Sequence, residues 1–133
     1  MSENKSESAA LKGISESTAR EILAFRDDRN WMPYHNPKDL AMSVAIEAGE
    51  LLEVFQWSGT DLECGKKRGE LADELADVLI YATMLADRAG LSMDEIVRAK
   101  LAKSAARYPV DKVKGLGTES YARCKAEGRK AVK

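Results

Sequence analysis

An all-α fold is what this chain predicts, and three observations carry that expectation. Apolar residues recur at three- and four-residue spacing through four segments. Helix start and stop residues flank those segments. No stretch alternates apolar and polar residues as a half-buried strand would. Four helices joined by short connections make a four-helix bundle protomer.

The elements follow in chain order. Residues 1–14 are rich in Ser, Glu and Lys and predict a disordered N-terminal segment. A first helix is expected from Ser15 or Ser17 to Asn30, on the period of Ile14, Ala19, Ile22, Leu23 and Phe25. "NWMPYHNPKD" interrupts it, because Pro33 and Pro37 disfavour helix in the residues before them. Asn36 then reads as an N-cap with Pro37 at the first helical position. The second helix is expected to run to Trp57, and "SGTDLECGKK" is a loop broken by Gly59 and Gly65. The third covers Lys67 to Ala89 and ends at Gly90. Ser92 with Glu95 three residues on is a capping box for the fourth, which continues to Arg107 before Tyr108-Pro109. The domain is thus expected over residues 15–110, with 111–133 as a flexible basic C-terminal tail.

The second helix carries an anomaly. Leu40, Val44, Leu51, Val54 and Phe55 form one apolar stripe at 100° per residue, and Glu47 falls inside it. Glutamate is almost never fully buried unless it is paired or binds a metal. Glu50 lies at the stripe's edge. On the third helix Leu71, Leu75, Val78, Ala82 and Leu85 form the stripe, and Glu74, Asp77 and Tyr81 form a row beside it. Glu47/Glu50 and Glu74/Asp77 are therefore two carboxylate pairs at i, i+3 spacing, each on one helix face. Antiparallel packing would converge all four. Crowded carboxylates repel unless cations sit between them. An oxygen-only cluster suits Mg²⁺, with Mn²⁺ as the alternative, and Mg²⁺ commonly shares its shell with substrate phosphates. Phosphate-ester or phosphoanhydride chemistry is the natural consequence. The plain alternative is a solvated acidic face, which is how Glu53 and Asp73 read. A di-iron bundle would want Glu-x-x-His motifs, and the single histidine, His35, lies in the proline-flanked loop.

Composition narrows the class further. The chain has 133 residues, 44% hydrophobic and 32% charged, which fits one small domain. No apolar run reaches the ~18 residues of a membrane span, and the N-terminus lacks the apolar core of a secretion signal. Cys64 and Cys124 lack metal-ligand spacing and read as free thiols of a cytoplasmic protein. Residues 112–133 hold seven Lys or Arg against two Glu, while residues 1–111 hold 14 basic and 20 acidic groups. An acidic body argues against a nucleic-acid surface, and the basic tail is either solvated or meets an anionic partner. Wide apolar arcs on the second and third helices predict self-association into at least a dimer.

These motifs resemble a known family. "EAGELLEVFQW" followed by "ELADELADVLIY" is similar to the all-α nucleoside triphosphate pyrophosphohydrolases of MazG-like type, whose motif is Glu-x-x-Glu, a spacer, then Glu-x-x-Asp. "FRDDRNWMPYHNPKDLA", "GELLEVFQW", "DELADVLIY" and "KLAKSAARYPVDKVKG" resemble the dCTP pyrophosphatase branch in the same order, over about residues 20 to 115. The resemblance implies Mg²⁺-dependent hydrolysis of a nucleoside triphosphate to the monophosphate and pyrophosphate, in house-cleaning of the nucleotide pool. It implies that Glu47, Glu50, Glu74 and Asp77 hold metal, one glutamate orienting or deprotonating the attacking water. It also implies a base pocket involving Trp31 and Trp57, sugar packing on Tyr81, and phosphate contacts from Lys100, Arg107 and Tyr108. Homodimers or homotetramers are implied, with pockets that can include a neighbouring chain. Two departures bear on the base: Ser104 stands where the branch often has Asn, and Ile22 where animal relatives have His. A dUTP or broad-range pyrophosphohydrolase, and a non-catalytic nucleotide-binding module, are the alternatives.

Overall fold

The computed structural model describes residues 12–131, and the expected disordered segment falls largely outside them. The described residues contain six α-helices and no strand: α1 Glu16–Asp28, α2 Pro37–Glu53, α3 Arg68–Arg88, α4 Met93–Arg107, α5 Val110–Val113 and α6 Gly117–Lys130. The all-α expectation holds, but the count of four does not. The chain divides into two compact units, one ending at Ala89 and one beginning at Gly90.

Local chemistry sets the helix ends. Ser15 Oγ accepts from the Thr18 amide at 3.1 Å and caps α1. Asn36 Oδ1 accepts from the Asp39 amide at 2.9 Å, with Pro37 at the first helical position of α2. Ser92 Oγ accepts from the Glu95 amide at 3.3 Å and caps α4. Gly90, at φ 66°, takes the left-handed conformation that ends α3. The second helix stops earlier than expected: it ends at Glu53, and residues 54–57 continue as turns.

In the first unit α2 and α3 pack antiparallel and share the largest interface. At one end Cys64 Sγ meets the Val54 carbonyl at 3.7 Å. At the other, Arg88 Nε donates to the His35 carbonyl at 2.8 Å. Leu40, Val54, Cys64, Met84 and Ala86 form the buried apolar core. Leu75, assigned to the α3 stripe by its spacing, is 45% exposed instead, because the apolar arc of α3 is wider than its neighbours cover. Arg26, on α1, is buried, donating from Nη1 to Asp87 Oδ2 at 2.6 Å and from Nε to Asp27 Oδ1 at 2.9 Å. This ion pair ties α1 to the end of α3.

In the second unit α5 and α6 lie where a tail was expected from residue 111. Helix α6 buries Ser120 and Cys124 and stacks Tyr121 on Tyr108, ring centroids 5.0 Å apart. Its buried residues are small, so it lacks the large apolar side chains that mark an ordinary core-facing helix.

Arg26→Ala is expected to cost about 2 kcal/mol in chemical denaturation, between the values for exposed and for buried pairs, because its carboxylates are partly solvated. Asp27→Ala, at the more exposed carboxylate, is expected to cost under about 1 kcal/mol.

Candidate metal centre

The antiparallel packing of α2 on α3 brings the carboxylates together. Oxygens of Glu47, Glu50 and Glu74 all lie within 4.8 Å of one another. Glu47 and Glu74 are half-buried, and Glu50 is exposed at the rim. Asp77 is half-buried and lies outside this 4.8 Å group, yet its charge acts on both Glu47 and Glu74. Glu53 and Asp73 are exposed, as a solvated face requires.

Burial and mutual repulsion dominate the electrostatics. Burial, then contact with Glu50, then the charges of Asp77 and Glu74, push the Glu47 carboxyl up to about 7. Burial and the nearby Glu50 likewise raise Glu74. Glu47 Oε2 and Glu74 Oε2 are buried with no hydrogen-bond partner among the described residues. A buried carboxylate oxygen without a donor is costly. A hard divalent cation, which takes oxygen ligands only, fits this donor set. Among the described residues, no cation of the protein pairs with any of the three.

The aromatic residues flank this centre at different ends of the hairpin. Trp57 follows Glu50 by seven residues, beyond the turns that end α2, and Lys67 precedes Glu74 by seven, just before α3 begins. Trp57 is 86% exposed and lines a cleft of about 190 Å³ with Ser58, Asp61, Lys66 and Lys67. The two lysines were not anticipated as site residues; the basic run "GKKR" just before α3 was the available signal. Trp31 lies toward the other end, its ring 6.3 Å from His35, whose carbonyl is held by Arg88. Arg88 follows Glu74 by fourteen residues, about 21 Å of helix. Phe25 meets Trp31 edge to face at 5.6 Å, and the Arg29 guanidinium covers Phe25 at 3.6 Å. One chain therefore does not bring its two tryptophans together. Tyr81 is half-buried one turn beyond Asp77. Lys100, Ser104, Arg107 and Tyr108 belong to the second unit: Lys100 is exposed, and the other three are half-buried.

The MazG-like family model matches residues 42–121, which include all four carboxylates. The chain belongs to the MazG-like family. Among relatives, it is 38% identical to mouse dCTP pyrophosphatase 1 over 97 residues, 68% of this chain and 56% of that protein. It is 38% identical to human dCTP pyrophosphatase 1 over 91 residues, 64% of this chain and 53% of that protein. The chain thus spans little more than half the length of these mammalian relatives. A pyrophosphatase of Archaeoglobus fulgidus superposes with a TM-score of 0.67 at 39% identity, covering 75% of this chain and 99% of that one. Among the described residues, no helix of this MazG-like chain is long and apolar enough to cross a membrane. Both its cysteines are free and buried.

The raised carboxyls make stability depend on pH. Glu47 and Glu74 hold protons in the folded chain over a range where the unfolded chain has released them, so without divalent cation stability falls as pH rises from about 5 through 7. The melting temperature should therefore drop between pH 5.5 and pH 8 in chelator. Added Mg²⁺ should raise it more at pH 8 than at pH 5.5, since cation and proton compete for the same oxygens.

Proposed function

We propose that this chain is a nucleoside triphosphate pyrophosphohydrolase that converts dCTP, or a modified dCTP, to the monophosphate and pyrophosphate with Mg²⁺. The observation that carries the reading is the pair of buried, unpartnered oxygens on Glu47 and Glu74, facing Glu50. Membership of the MazG-like family and the likeness to dCTP pyrophosphatases support it.

Glu47, Glu50 and Glu74 would hold the cation, with Asp77 completing the acidic set. The cation supplies positive charge to phosphate oxygens and makes a neighbouring water more acidic. A glutamate of the group orients that water and accepts its proton. Half-burial of Glu47 and Glu74 keeps the local dielectric low, which strengthens every charge interaction there. The exposed indole of Trp57 offers a stacking surface for a base, worth about 1–3 kcal/mol. Tyr81, one turn beyond Asp77, packs against the sugar.

Self-association belongs to the same reading. Met42, Ile46 and Leu52 on α2, and Leu75 and Leu79 on α3, are exposed large apolar side chains. A pocket that uses both tryptophans needs Trp31 from a second copy, since Trp31 and Trp57 of one chain lie toward opposite ends of α3. A broader substrate range is favoured by Ser104, which is shorter than the asparagine it replaces in the resembling branch.

Purified protein is expected to release pyrophosphate from deoxycytidine triphosphates with Mg²⁺ and not with chelator, in a panel of NTPs and dNTPs. Release centred on dUTP would retain the metal chemistry and discard the base assignment. Affinity without any release would favour a binding module. Glu47→Gln should abolish turnover, by about 10³-fold or more, with helix content unchanged by circular dichroism; an active variant refutes the metal assignment.

A further inference from the structure

The connection between α1 and α2 contains a single turn, Met32–Tyr34, with an arginine at each side of it. At its start the Trp31 amide donates to the Arg26 carbonyl at 3.1 Å. At its finish the His35 amide donates to the Met32 carbonyl at 3.1 Å, and the His35 carbonyl accepts from Arg88 Nε at 2.8 Å. Arg26 is in turn locked to Asp87 and Asp27. Residues 31–35 are thus closed against α1 and α3 by their main chain, and the half-buried His35 ring is carried in with them.

What the ring meets there is unfavourable to a proton. Its Nδ1 is buried and has no hydrogen-bond partner among the described residues. An imidazolium carries an N–H at both nitrogens, so one N–H would be left without an acceptor. The charges that reach the ring are both positive, Arg26 from α1 and Arg88 from α3. The carboxylates of the surrounding elements are engaged elsewhere. Asp27 and Asp87 pair with Arg26, and Asp39, in the first turn of α2, accepts from Asn36 Nδ2 at 2.7 Å. Lys38, beside Asp39, is exposed. Burial first, then Arg26 and Arg88, hold the imidazole below its ordinary value. Trp31 shares this seat, its ring 6.3 Å from the imidazole and edge to face with Phe25.

We propose that His35 is a proton-sensitive latch on the α1–α2 connection. Neutral, its ring stays seated beside Arg26 and Arg88 and keeps Trp31 in place. Protonated, the ring leaves for solvent, and residues 31–35 open with Trp31. The latch acts apart from the carboxylate centre and from any activity there. An unfolded chain takes up a proton on this imidazole below about 6.5, which the folded chain resists. The stability held by the latch is therefore whole above that pH and is lost as pH falls. The raised carboxyls of Glu47 and Glu74 act in the opposite sense, so melting temperature mixes the two effects and local probes separate them.

The test uses the full chain. His35 is its single histidine, so one set of imidazole signals titrates by NMR. Trp57→Phe leaves Trp31 as the single tryptophan, whose emission maximum and quenching by acrylamide report how open the segment is. The histidine midpoint is expected below the ordinary value. Over the same pH range Trp31 should shift to longer wavelength and quench more readily, with circular dichroism constant. In that background His35→Gln should abolish the Trp31 change, and Arg88→Gln should move the histidine midpoint upward. A histidine midpoint at or above the ordinary value overturns the latch. A lowered midpoint with an unmoving Trp31 also overturns it, and makes His35 a neutral packing residue only. A Trp31 change that survives His35→Gln assigns the opening to other groups, and removes the proposal. So does an imidazole that stays neutral until circular dichroism shows the whole chain unfolding.

Discussion

Repulsion among carboxylates held at the α2–α3 interface is the constraint on which the site depends. The two helices are pressed together by apolar burial, from Leu40 at one end to Val54 and Cys64 at the other. That packing carries Glu47 and Glu74 inward, where water no longer solvates their oxygens. A free carboxylate would turn outward. These are carried by backbones whose orientation is already set by larger forces. The result is a group that must take up protons or a cation, and its raised carboxyl is the expression of that demand.

The hairpin also sets distances. Its two ends differ in chemistry: an exposed tryptophan beside two lysines near the start of α3, and an aromatic cluster with His35 near its finish. The Arg26–Asp87 pair and the bond from Arg88 to the His35 carbonyl fasten the second cluster in place. Helix length alone then separates Trp31 from the acidic centre. Exposed apolar side chains along α2 and α3 give a second copy a reason to approach.

The C-terminal unit works by a different principle. Its helix α6 has few large apolar residues to bury. It meets α4 at Gly128, where the Arg107 side chain lies, and at the Tyr108–Tyr121 stack, while Ser120 and Cys124 are its buried residues. Binding energy in such a contact comes from shape and proximity more than from buried area.

Much of this was legible in the residues themselves. Caps at Ser15, Asn36 and Ser92, and the stop at Gly90, are local hydrogen-bond and backbone preferences, and so are readable without the fold. Glu47 in mid-stripe marked the carboxylate group because helical periodicity is also local. Helix α6 was not legible, since two glycines and a run of small and charged residues hide a packing face. Nor was the exposure of Leu75, which depends on how much of α3 its neighbours cover. The sequence by itself determined where helices begin and which carboxylates share a face. Only the tertiary structure decided that Glu47, Glu50 and Glu74 meet while Asp77 stands just beyond, and that the two tryptophans part. Those are distances between segments far apart in the chain, and they are set by how whole helices pack.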